Sequence, residues 1–276
     1  MDAVVIKLLI VLVVLIVVLA VVVRLVEPRF AFFPTVGDTP PPSEPGVQIT
    51  PWSVDTRDGE RVQGWSLEPP APRAVILYFH GNGGNLSIWA PILVGVARQG
   101  FSVVAFDYRG YGASTGRPTE QGLYRDVYAV VERVKTMPPR PLPMVYWGRS
   151  LGTAMAAYAT TVAAPDGVIL ESGFPDARSV ARASPVLALL SVFASYRFPT
   201  AEFMRRSTAP LPARVMHGDS DSVLPIALGR SLFARINEPK AFVTIRGGDH
   251  NDLTPPDPEY WTQVNRFVAG LAASRR

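Results

Sequence analysis

The hydrophobic pattern divides the chain into two unequal parts. From Leu8 to Val23 no polar residue occurs, and the apolar run extends back to Ala3 with Lys7 as its interruption. A helix needs about 20 such residues to cross a bilayer. Lys7 lies near one end, where its long stem can reach the headgroups, and Arg24 and Arg29 close the other. The pattern predicts one transmembrane helix over residues 3–23, within an N-terminal anchor of residues 1–28. A cleaved signal peptide fits less well, since a cut after Ala20 leaves Val21, Val22 and Val23 as the mature start. A buried core helix would need a packing partner, and no matching pattern follows. Lys7 and the α-amine balance Arg24 and Arg29, so the positive-inside rule leaves the topology open.

Beyond the anchor the pattern changes. Phe30, Phe32 and Phe33 precede Pro34 and suit a membrane–water interface. Thr39 to Pro45 holds four prolines and reads as a stiff spacer. We therefore expect a Pro-rich spacer over residues 29–46 and one globular domain over 47–276. Within that domain short apolar runs alternate with segments of helical period. The predicted strands are Val62–Leu67, Ala74–Phe79, Ser102–Phe106, Met144–Trp147, Val168–Leu170, Arg214–Met216 and Phe242–Ile245. Several are apolar throughout, as strands buried on both faces are. The predicted helices include Leu86–Arg98, Leu151–Thr161, Ile226–Ile236 and Glu259–Leu271. A further one carries Leu123, Val127, Val130, Val131 and Val134 on one face. Strand–helix alternation predicts an α/β fold with a mostly parallel sheet and helices on both faces. Ligands then bind beyond the carboxyl ends of the strands.

Composition narrows the function classes. Hydrophobic residues make up 48% of the 276, which excludes an intrinsically disordered chain. The net charge of +4 comes from scattered basic residues without a run that would suit nucleic acid. With no Cys, a disulfide framework, a thiolate metal site and a Cys nucleophile are excluded together. The three His show no paired helical spacing, so no metal or cofactor is expected.

The chemistry lies after the strands. Gly148-Arg149-Ser150-Leu151-Gly152 is a G-x-S-x-G pattern between a predicted strand and a helix of small residues. Such a serine sits on a sharp turn with its hydroxyl above the sheet, and the glycines make room for that turn. A serine nucleophile needs a base. His80 and His217 follow strands directly and read as strand-end residues bonded to backbone. His250, in Gly247–Asp252, lies downstream of the serine as the order Ser, acid, His requires. Asp219, Asp221 and Glu171 remain as candidate acids. Two backbone N–H groups are needed for an oxyanion. Leu151 supplies one, and the glycine-rich stretch His80 to Asn85 the other. That stretch lacks the Gly-Lys-Ser/Thr of a phosphate-binding P-loop. A second glycine-rich stretch, Asp107–Ser114, reads as a tight structural loop bordering the pocket.

These residues carry a resemblance. The chain resembles the alpha/beta-hydrolase superfamily. More narrowly it is similar to membrane-anchored serine hydrolases with an abhydrolase domain, the branch of the depalmitoylases, bud-emergence-type relatives and serine aminopeptidase-like enzymes. The matching pieces are FFP after the anchor, FHGNGGN at 79–85, DYRGYGAS at 107–114 and GRPTEQGLYRD at 116–126. They continue with GRSLG at 148–152, ES at 171–172, HGDSDSVLP at 217–225 and GGDHND at 247–252. The resemblance implies an alpha/beta-hydrolase fold, Ser150 as nucleophile, Asp221 as acid and His250 as base. It implies Asn82 and Leu151 as the amide donors. Asp221 is preferred because the family's acid stands four residues after the histidine of its HG motif, here His217. The depalmitoylases carry an N-terminal cysteine cluster, and this chain has a hydrophobic span in its place.

The expected function is therefore a single-pass membrane serine hydrolase (a serine esterase) acting on an acyl ester or thioester through an acyl-enzyme. Its substrate would be a lipid or a lipidated protein. An amidase or acyltransferase would use the same site, and a non-catalytic anchored binding protein is the reading from another class. Residues 174–212 read as a small lid, with an apolar run from Val186 to Ala194.

Overall fold

The computed structural model describes residues 2–38, 40–137, 141–182, 185–206 and 210–274. Helix α1 spans Ala3–Ala31. At 1.5 Å per residue it is about 43 Å long, which exceeds the roughly 30 Å hydrocarbon core of a bilayer. None of its residues is buried, and among the described residues it alone is long and apolar enough to cross a membrane. The helix runs through Arg29 and Phe30 rather than stopping at Pro28.

The remaining elements are β1 Phe33–Pro34, β2 Gln48–Asp55, β3 Arg61–Glu68, β4 Val75–Phe79, β5 Gly83–Gly84, α2 Leu86–Arg98 and β6 Ser102–Asp107. Then come α3 Glu120–Thr136, β7 Met144–Arg149, α4 Leu151–Val162, β8 Gly167–Glu171, α5 Ala177–Ala181, α6 Pro185–Leu190 and α7 Thr200–Arg205. β9 Ala213–Gly218, α8 Ile226–Arg235, β10 Lys240–Ile245 and α9 Tyr260–Ser274 complete the chain. Strands β2, β3, β6, β4, β7, β8, β9 and β10 lie side by side, in that order, in one sheet. β3 is antiparallel to both β2 and β6, and every other pairing is parallel.

The strand sequence explains the layering. Along β4, Leu77 and Phe79 join one core with α3 and α4, while Ile76 and Tyr78 join a second core with α2 and α9. A strand sandwiched between two helix layers must be apolar at every position, and Ile76 to Phe79 are all essentially unexposed. All seven expected strands are present with shifted ends. β2 was not expected. It is an edge strand whose side chains alternate between half-buried and exposed, and it holds Pro51, which an edge tolerates.

The small β1–β5 ladder brings the chain beyond α1 onto the domain, with Phe33 opposite Gly83. Phe32, expected at a membrane interface, is instead buried against Tyr196 and Phe198, while Phe30 stays exposed. In the 174–212 region Leu189 and Val192 are 69% and 68% exposed. Residues 183–184 and 207–209 of that region, and the side chains of Val186 and Leu187, lie outside the described residues.

Candidate active site

The sheet order places a switch point beside β4. The chain passes from β4 to β6 on one side, then crosses to β7 on the other. Crevices at such points are where open α/β sheets bind ligands. Ser150 stands at the end of β7, at φ 54° and ψ −121°, as N-cap of α4. A non-glycine residue at positive φ is strained and persists only where surrounding contacts hold it. Here Ser150 N donates to the Glu171 carbonyl at 2.9 Å, and the Ser150 carbonyl accepts from Thr153 N at 2.9 Å and Thr153 Oγ1 at 2.7 Å. Glycine is required on both sides. A Cβ on Gly148 would collide with the Gly152 backbone, and one on Gly152 with the Phe79 carbonyl.

His250 and Asp221 come from the loops after β10 and β9. His250 Nε2 is 3.0 Å from Ser150 Oγ, and its Nδ1 is 2.8 Å from Asp221 Oδ2. Asp221 Oδ1 accepts from Leu224 N at 2.7 Å and Val223 N at 3.0 Å. Burial alone would raise the Asp221 pKa. Contacts with His217 and His250 and the Leu224 N–H outweigh it and hold the carboxyl well below the usual carboxylate range. A hydroxyl, an imidazole and a fixed carboxylate in this order can take a proton from the hydroxyl and keep the resulting imidazolium in place.

The other two candidate acids lie elsewhere. Asp219 is exposed, and its Oδ1 accepts from Gly247 N at 2.8 Å, which joins the two loops that carry Asp221 and His250. The buried Glu171 Oε2 accepts from Trp147 Nε1 at 3.0 Å and from Tyr260 Oη at 2.8 Å. Burial raises the Tyr260 hydroxyl far above its ordinary range, so it stays a donor. The other two histidines serve the backbone. His80 Nδ1 is 2.7 Å from the Gly81 carbonyl, and His217 Nε2 is 2.7 Å from the Leu224 carbonyl.

The His80–Asn85 loop borders the serine. A Cβ on Gly81 would lie 3.5 Å from Ser150 Cβ. The Asn82 carbonyl accepts from Phe33 N and from Tyr111 Oη, both at 2.8 Å, so the loop is fixed from two sides. Leu151 and Asn82 N–H have no acceptor among the described residues. Asp107–Ser114 braces this loop, since Tyr108 Oη also donates to the His80 carbonyl at 3.0 Å.

Two contacts beside Asp221 and His250 were not expected from the sequence. His217 Nε2 also lies 3.3 Å from Asp221 Oδ2. Arg149, 2% exposed, donates from Nη2 to the His250 carbonyl at 2.9 Å. Burial works against its charge, which Glu171 sustains from 3.7 Å. An arginine inside an otherwise apolar strand end is the signal that could have pointed to it.

Comparisons with known proteins agree with this architecture. A family model, Hydrolase_4 (serine aminopeptidase, S33), matches residues 70–211. An uncharacterized protein of Mycobacterium tuberculosis (strain ATCC 25618 / H37Rv) is 33% identical over 81% of this chain and 80% of its own. The lysophosphatidylserine lipase ABHD12 of Mus musculus is 32% identical over 58% of this chain and 44% of that protein. The structure of an esterase from Pyrococcus furiosus superposes with a TM-score of 0.67, covering 87% of this chain and 98% of that one at 17% identity. The eight-stranded sheet, the serine turn between β7 and α4 and these likenesses together show that the chain belongs to the Hydrolase_4 family of the alpha/beta-hydrolase superfamily.

Proposed function

We propose that the protein is a membrane-anchored serine hydrolase that cleaves acyl esters or thioesters through an acyl-enzyme on Ser150. The observation that carries this reading is the 3.0 Å approach of His250 Nε2 to a serine oxygen held on a strained turn. His250 removes the Ser150 proton as the oxygen attacks the acyl carbon, and Asp221 fixes the tautomer and stabilises the imidazolium. The N–H groups of Leu151 and Asn82 receive the oxyanion. His250 then protonates the leaving alcohol or thiol. Water, deprotonated by the same imidazole, releases the acid and restores the serine.

The substrate side rests on three supports. The P. furiosus structure is that of an esterase, ABHD12 is a lysophosphatidylserine lipase, and α1 is an exposed apolar helix. We place α1 across the membrane as a single-pass anchor and residues 174–212 over the site as a lid. The exposed Leu189 and Val192 would then face lipid. The family description, serine aminopeptidase, favours amide cleavage as the second reading.

The test uses the full chain in detergent with octanoyl p-nitrophenyl ester and octanoyl p-nitroanilide. Ester turnover should dominate. Ser150→Ala should lose roughly 10⁶ in kcat while the protein stays folded. Faster anilide than ester turnover would favour the amidase, and near wild-type turnover by the folded variant would overturn the serine mechanism.

A further inference from the structure

A cleft of about 290 Å³ opens between α5, α7 and the end of α8, and none of Ser150, Asp221 and His250 lines it. That volume sits at the lower end of small-ligand pockets, roughly 300–1,000 Å³. Its walls are tied together. Ala177 N donates to the Arg197 carbonyl at 2.8 Å, and Ala201 N to the Pro175 carbonyl at 3.1 Å.

Its lining is strongly basic. Arg178, Arg182, Arg197, Arg205 and Arg235 stand against only two carboxylates, Asp176 and Glu202. Both carboxylates are engaged. Asp176 Oδ2 pairs with Arg235 at 3.3 Å, and Glu202 Oε1 with Arg206 at 2.6 Å. The side chains of Arg178, Arg182 and Arg197 have no carboxylate partner among the described residues. Several guanidinium groups around one concavity repel one another, and their field concentrates anions there. The planar guanidinium fork suits a phosphoryl group, whose several oxygens accept paired N–H donors.

The cleft also has a definite position relative to the anchor. Four consecutive backbone N–H groups beside it are received by two carboxylates. Glu27, at the end of α1, accepts from Ser195 N and Tyr196 N, each at 2.8 Å. Glu120 accepts from Arg197 N and Phe198 N, each at 2.8 Å. Arg197 is therefore one residue from a segment bonded to the C-terminal end of α1. The exposed Leu189 and Val192 lie a few residues before it. An apolar edge beside clustered basic residues is the pattern of a surface that meets anionic lipid.

We propose that this cleft is a binding site for a phosphoryl group, presented by a membrane phospholipid headgroup or as free phosphate. Only the lipid source depends on α1 being an anchor. The test measures binding and not turnover, so failure of the hydrolase reading and failure of this site are separate outcomes. The probes are inorganic phosphate, dihexanoyl phosphatidic acid and, as neutral control, dihexanoylglycerol, titrated calorimetrically into the full chain in a non-ionic detergent.

Phosphatidic acid should bind, dihexanoylglycerol should not, and the double variant Arg178→Gln/Arg182→Gln should weaken binding at least tenfold. The circular dichroism spectrum and melting temperature of that variant should match those of wild type, which shows it to be folded. Arg182→Gln alone, with a smaller loss, serves if the double variant misfolds. Binding of phosphatidic acid at least tenfold tighter than inorganic phosphate assigns the site to a lipid headgroup. Equal affinity assigns it to free phosphate, and either result upholds it. No preference for the phosphorylated probes over dihexanoylglycerol would overturn the site, and so would equal binding by wild type and folded variant.

Discussion

Arg149 Nη2 donates to the carbonyl oxygen of His250 at 2.9 Å, so the residue before the serine holds the backbone of the imidazole that faces it. Glu171 lies 3.7 Å from Arg149 Nε and is itself buried under Trp147 and Tyr260. Arg149 is thus a positioning residue with a buried counter-charge. Arg149→Met should destabilise the chain by about 3–5 kcal/mol, because it removes the buried counter-charge beside Glu171. Arg149→Met/Glu171→Gln should recover most of that stability. Its kcat should still fall by roughly 10²-fold with KM little changed, since a base displaced by about 1 Å costs that much. Full kcat in the double variant would mean that Arg149 only balances charge.

The two aspartates of the β9–α8 loop should separate cleanly. Asp221→Asn should lower kcat by roughly 10⁴, because the amide favours the wrong imidazole tautomer. Asp219 joins loops through Gly247 N, so Asp219→Asn should cost about 1 kcal/mol of stability and leave kcat near wild type. Steady-state kinetics on a soluble ester decide it. An inactive Asp219 variant beside an active Asp221 variant would reverse the assignment.

Stability should depend on pH through Asp221. Its folded pKa is depressed, chiefly by His217, His250 and the Leu224 N–H acting against burial, below an unfolded value of about 3.9. The ionised carboxylate therefore contributes stability above about pH 5, and that contribution is lost as the pH falls toward the folded pKa. The gap between the denaturation midpoints of wild type and Asp221→Asn should be constant from pH 7 to about pH 5 and narrow steadily as the pH falls below that. A gap that does not narrow would contradict the assignment.

The boundary of α1 matters at Glu27. A truncation of residues 2–23 keeps this carboxylate and should match the full chain on soluble esters. Extending the truncation to Pro28 removes its bonds to Ser195 and Tyr196, contacts worth on the order of 1–3 kcal/mol. Limited proteolysis between Arg178 and Arg197 should then be faster. Identical cleavage of the two truncated chains would show that Glu27 does not hold this segment.

How much of this was legible in the sequence follows from burial. Strands β4, β6, β7 and β8 are closed in by helices on both faces, so each carries an apolar run. β2 alternates and carries Pro51 at the sheet edge, so its sequence does not separate it from a loop. Ser150 and His250 stand out in the sequence because a strand precedes each, with glycines on both sides of Ser150 and two just before His250. Asp219 and Asp221 share one loop. The residues alone leave both open, the spacing from His217 in the family the chain resembles favours Asp221, and the closed fold sets Asp221 against the imidazole. The contact of Arg149 with His250 joins residues 101 apart, and Glu27 reaches Ser195 across 168. No local period encodes pairings at such separations.

The central claim is an activated Ser150, and covalent labelling tests it most directly. A fluorophosphonate probe reacts at neutral pH only with a serine activated by an adjacent base. Intact-mass measurement of the full chain in detergent should show a single adduct, and peptide mapping should place it on Ser150. Ser150→Ala should take up no label, and His250→Ala far less than wild type. A folded chain that takes up no probe, or carries the adduct on another residue, would contradict the account.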